Sequence, residues 1–114
     1  MINKVILIGN LGKDAVILKT KSGHAVSNFS LATTHFGKEK EPTWHAITVW
    51  GKLAELLTPF LKKGKQIYLE GSLDNQKWTD TAGQARMKTV INAQVIQLLN
   101  SKEILDTTDT LEGF

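Results

Sequence analysis

Thr43-Trp44-His45-Ala46-Ile47-Thr48-Val49-Trp50 runs straight into Gly51-Lys52-Leu53-Ala54-Glu55-Leu56-Leu57, and this passage sets the class of fold. Its first eight residues are rich in β-branched and aromatic side chains, which suit a pleated strand. After Gly51 the period changes. Leu53, Leu56, Leu57, Phe60 and Leu61 recur at helical spacing and predict one apolar helix face over 52–62. Lys62-Lys63-Gly64 makes a suitable C-terminal end. Pro59 lies inside that pattern, so a kink or a fresh start near Thr58 is expected.

Outward from this passage the chain reads as strands. Residues 2–9 are β-branched and apolar, and Gly9-Asn10-Leu11-Gly12 punctuates them as a turn or bulge, with a second half of the same strand region over 14–20. Ser22-Gly23 signals a turn. Residues 25–34 alternate, with Ser27, Phe29, Leu31 and Thr33 on one face and Val26, Asn28, Ser30 and Ala32 on the other. The polar segment 35–42 reads as a loop, and 66–73 and 86–98 as two further strands. Strand regions before and after one helix predict an all-β fold of the five-stranded Greek-key OB type, with the helix after the third strand region. The expected division is an OB domain over 1–100 and a short acidic tail over 101–114.

The chain has 114 residues, room for one domain. With no cysteine, it has no disulfide or thiolate metal site. No apolar run reaches the roughly 20 residues of a membrane span, and Val5 to Ile8 is too short for a signal-peptide core. The net charge of +3 divides unevenly: residues 1–102 hold all fourteen Lys and Arg against seven acids, and residues 103–114 hold four acids and no base. A basic body suggests an anionic ligand.

Trp44 and Trp50 stand six positions apart in one predicted strand, so both face the same way, with small Ala46 and Thr48 between them. Ile47 and Val49 point to the other side, with His45. A lone strand Trp is ordinarily core. Two on the polar side suggest platforms on which nucleic-acid bases stack, a contact indifferent to sequence. Trp78 follows Lys77 in a polar stretch and reads as a third platform or a hairpin-stabilising aromatic; Phe36 is a fourth candidate. Thirteen of the fourteen basic residues are Lys, suited to sequence-neutral phosphate contact. The candidate phosphate contacts are Lys4, Lys13, Lys52, Lys62, Lys63, Lys77, Arg86 and Lys88.

Constellations for catalysis fail one by one. Gly9 to Asp14 brushes against a phosphate loop, but Leu7 stands where the upstream Gly is needed and Asp14 where Ser or Thr is required. His24, His35 and His45 lack metal-ligand spacing, and there is no Gly-x-Ser-x-Gly elbow. The expectation is a binding protein without catalysis, cofactor or metal.

Over about residues 1–98 the chain resembles the bacterial single-stranded DNA-binding protein family. The matching stretches are 2–12, 25–33, Thr43-Trp44-His45 leading to Trp50-Gly51-Lys52-Leu53-Ala54-Glu55, Leu61-Lys62-Lys63-Gly64, 67–71 and Lys77-Trp78-Thr79-Asp80. The resemblance implies an OB barrel, a homotetramer, and single-stranded DNA bound over Trp44, Trp50, Trp78 and Phe36. It implies roles in replication, recombination and repair, and a cytoplasmic, nucleoid-associated protein. It places His45, and with it Tyr68, at a subunit interface. It likens Asp106, Asp109, Glu112 and Phe114 to a reduced form of the family's partner-docking tail. The chain departs from the family at Leu18, Ala46 and Asp74-Asn75-Gln76, where basic residues are usual. A restart factor of the same fold, dimeric and chiefly bridging proteins, is the alternative.

Overall fold

The computed structural model describes residues 1–34 and 41–99. Six strands and a short helix follow in order: β1 (Val5–Leu11), β2 (Val16–Lys19), β3 (Ala25–Thr33), β4 (Thr43–Trp50), α1 (Gly51–Leu57), β5 (Gln66–Thr79) and β6 (Ala85–Leu98). The sheet order is β1-β5-β6-β4-β3-β2, and β1 also pairs with β3. This extra pairing curls the sheet towards a closed barrel, and the fold is the expected OB type with one helix after the third strand region. β1 and β2 are the two halves of that first region, since both run antiparallel to β3.

The period-two pattern sorts the strands as expected. Ala25, Ser27, Phe29 and Leu31 of β3 face the core with Ile47 and Val49 of β4, Ile67 and Leu69 of β5, and Ile91 and Ala93 of β6. Ser27 is the polar member of this set. Its Oγ lies 2.9 Å from the Thr58 hydroxyl, which also donates to the Ala54 carbonyl at 2.6 Å, so a buried polar group holds the helix end to β3.

Three expectations need correction. The turn assigned to Gly9–Gly12 is strand as far as Leu11; at Asn10 and Leu11, β1 leaves β5 for Ala32 and Leu31 of β3. The helical stretch breaks near Thr58 as Pro59 predicts, with α1 ending at Leu57. A 3-10 turn, Thr58–Phe60, restarts there with Pro59 near its beginning, where a missing N–H costs least. Its apolar face is narrower than the pattern suggests: Ala54 and Leu61 are buried, whereas Leu56 and Phe60 are exposed. Finally, β5 continues past residue 73 to Thr79, forming with β6 a long antiparallel arm that the polar run 74–79 concealed.

Gly9 makes the crossover of β1 possible. A Cβ there would sit 2.3 Å from the Ala32 carbonyl oxygen, a backbone atom that cannot swing aside. Gly9→Ala is expected to destabilise the fold by roughly 1–3 kcal/mol, the usual cost of overpacking, read as a lower urea midpoint. An unchanged midpoint would show that closure at β1–β3 tolerates a methyl.

Candidate nucleic-acid interface

Cross-strand register assembles one surface from four strands, β3, β4, β5 and β6. Along β3 and β4 the pairs Val26–Trp50, Asn28–Thr48, Ser30–Ala46 and Ala32–Trp44 share the face opposite the core. β6 joins it in parallel through Thr48–Asn92. Beyond Asn92 the arm adds Asp74–Val90, Gln76–Lys88 and Trp78–Arg86 on the same face. All three tryptophans therefore belong to one surface, with indoles exposed to 56%, 46% and 47% for Trp44, Trp50 and Trp78. Trp44 and Trp50 are about 20 Å apart along β4, six residues at about 3.3 Å each.

Between the platforms lies a groove of about 420 Å³, with Asn28, Ser30, Ala46 and Thr48 on its floor and Lys13, Gln76 and Lys88 at its sides. The floor groups largely satisfy one another. Thr48 Oγ1 donates to Asn28 Oδ1 at 3.1 Å, and Asn92 Nδ2 donates to Asp74 Oδ2 at 3.2 Å. Trp44 lies over Gly12, where a Cβ would meet its ring at 2.5 Å. Gly12 thus gives the indole a flat seat beside Lys13 and Ser30. The floor residues carry no individual signal in the sequence beyond their alternation, and only the pairing of β3, β4 and β6 marks them.

The candidate cations divide. Lys4 pairs with Glu70 at 3.3 Å, Lys62 with Asp14 at 3.9 Å, and Arg86 Nε with Asp80 Oδ2 at 2.9 Å. Among the described residues, Lys13, Lys52, Lys63, Lys77 and Lys88 form no ion pair. Lys13 and Lys88 line the groove. Lys77 alternates to the other side of the arm from Trp78, opposite Met87. Lys63 sits by the groove mouth, its backbone N–H donating to Asp14 Oδ1 at 2.8 Å. Lys4 stands outside the groove-lining set.

The two residues assigned to a subunit interface are not brought together. His45 is half-buried, its Nε2 sharing a 2.9 Å hydrogen bond with Thr33 Oγ1. Tyr68 sits on the outer side of β5, its hydroxyl bonded to Glu70. That bond raises the Tyr68 pKa; the same bond, and then Lys4, holds the Glu70 carboxyl below its usual range. Around Tyr68, Ile6, Ile8 and Val95 are exposed on paired strands. Phe36 and the tail residues Asp106, Asp109, Glu112 and Phe114 lie outside the described residues.

The family model described as the single-strand binding protein family matches residues 2–99. The match spans every strand that builds the tryptophan surface.

The arm tip is held by Asp80, whose Oδ1 accepts the N–H groups of Ala82 and Gln84, each at 2.9 Å, while Oδ2 accepts Arg86. Arg86 first, then the backbone donors, lower the Asp80 pKa below its ordinary 3.8. The stability this supplies is complete above pH 3.8 and disappears as pH falls through the lower folded value. Asp80→Asn is expected to show a smaller loss of melting temperature below pH 3.8 than the wild type. Equal losses would mean that Asp80 is not linked to folding.

Proposed function

We propose that this chain, which belongs to the single-strand binding protein family, coats exposed DNA strands without regard to sequence during replication, recombination and repair. Single-stranded DNA binding is the family's activity, and its members are non-enzymatic DNA-binding proteins. The observation that carries the reading for this chain is the alignment of Trp44, Trp50 and Trp78 on one face around a lysine-sided groove. Indole faces accept any base, and lysine ammoniums neutralise phosphate without reading base edges. The working contacts on this face are then Trp44, Trp50 and Trp78 for bases and Lys13, Lys52, Lys63 and Lys88 for phosphates, with Lys77 available on the other side of the arm. Lys62 and Arg86 are partly engaged by Asp14 and Asp80, so a phosphate would share or compete for them. The acidic tail is proposed to dock replication or repair proteins through Asp106, Asp109, Glu112 and Phe114.

Titration with oligo-dT at two salt concentrations tests the reading through intrinsic Trp fluorescence. Strong quenching is expected, with Trp44→Ala and Trp50→Ala each weakening binding by about 1–3 kcal/mol. Lys13→Ala and Lys88→Ala should each flatten the slope of log affinity against log salt by about 0.7. Absence of quenching at low salt would make protein bridging the better account.

Family members are typically oligomeric, and self-association of this chain as a homotetramer is proposed to use the exposed Ile6, Ile8 and Val95 with the half-buried Tyr68 on β1, β5 and β6. Contiguous apolar residues rimmed by Lys4, Glu70 and Gln97 suit a protein contact. Ile8→Glu is expected to reduce the mass in solution from a multiple of 12.6 kDa to the single-chain value, while an unchanged mass would place the interface elsewhere.

A further inference from the structure

We propose that Leu18, with Val26, forms a base-edge subsite beside Trp50 that favours thymine over uracil. This rests on the strand-binding reading and specifies its ligand. The register carries the argument. Leu18 of β2 pairs with Val26 of β3, and Val26 pairs with Trp50 of β4, so the three form one transverse row on the tryptophan face. Two strand spacings, about 9.5 Å, separate Leu18 from Trp50, which is room for one pyrimidine ring stacked on the indole with its edge over the aliphatic pair.

Leu18 is 56% exposed, although alkyl side chains are usually buried when the fold allows. Its strand is held in place from behind, where Lys19 reaches Glu55 of α1 at 4.0 Å. The neighbouring row, Val16–Asn28–Thr48, has one polar group within reach, the exposed amide of Asn28. Val16 is exposed at its edge, and the hydroxyl of Thr48 is committed to Asn28. A base edge lying over Leu18 and Val26 themselves meets carbon. The purines, and the amino edge of cytosine, would press hydrogen-bonding groups against it unpaired, which is unfavourable. Thymine instead presents its C5 methyl, the one apolar protrusion among the base edges. Uracil differs from thymine only by that methyl, so the pair isolates the contact. Lys52, two residues beyond Trp50 and without an ion pair among the described residues, is a cation near the same nucleotide.

The test compares oligo-dT with oligo-dU of equal length on the full chain, by Trp quenching at one low salt concentration. The wild type should bind oligo-dT about two- to fourfold more tightly, the worth of burying one methyl. Leu18→Ser should bring this ratio close to one, and Leu18→Ile should retain it, a double-mutant cycle between one side chain and one methyl. Exposure of Leu18 keeps both variants foldable, which melting curves check. Equal wild-type affinities, or a ratio that Leu18→Ser leaves unchanged, would overturn the thymine subsite while leaving strand binding intact. Failure to bind either oligonucleotide would overturn the strand-binding reading and the subsite with it.

Discussion

β1 must pair with two strands at once. Up to Asn10 it runs along β5, and from Asn10 it also pairs with β3, which is possible because Gly9 brings no side chain against the Ala32 carbonyl. Without that close approach the sheet would keep a free edge at β1, and β3 and β5 would be linked only through β4 and β6. The parallel contact of β4 with β6 spans only two residue pairs, Ile47–Ile91 and Thr48–Asn92, and gains from the closure made at β1. The tryptophan surface depends on this arrangement, since Trp44 and Trp50 stand on β4 and Trp78 on the β5–β6 arm.

Once the barrel is closed, electrostatics decides which cations are available. A basic body suggests many equivalent phosphate contacts, but intramolecular carboxylates reduce the set. Glu70, Asp14 and Asp80 engage Lys4, Lys62 and Arg86. Exposed pairs of this kind are individually weak, so a phosphate can compete for the partly engaged cations. Asp74 adds a negative charge between the platforms and is bonded into the floor through Asn92.

Parts of this were legible along the chain because they obey a local period. Six residues of alternation were enough to put Trp44 and Trp50 on one side of β4 and Ile47 and Val49 on the other. Pro59 announced the break at Thr58 for an equally local reason, its missing N–H. The run 74–79 hid its strand because much of the arm is wet, and without a buried side hydrophobic alternation disappears. Leu56 and Phe60 were assigned to a packed face because helical spacing marks a stripe but not its width.

The sequence by itself therefore determined the strand-rich class, the helix position, the parity of β4 and the aromatic, lysine-rich character of the candidate ligand surface. All of these follow from neighbours a few residues apart. Only the tertiary structure decided that Trp78 joins the face of Trp44 and Trp50, that Leu18, Val26 and Trp50 form one row, and which lysines meet no carboxylate among the described residues. Those relations depend on register between strands far apart in the chain. A one-residue slip would send every side chain of a strand to its other face, and only the packed core as a whole selects among the registers.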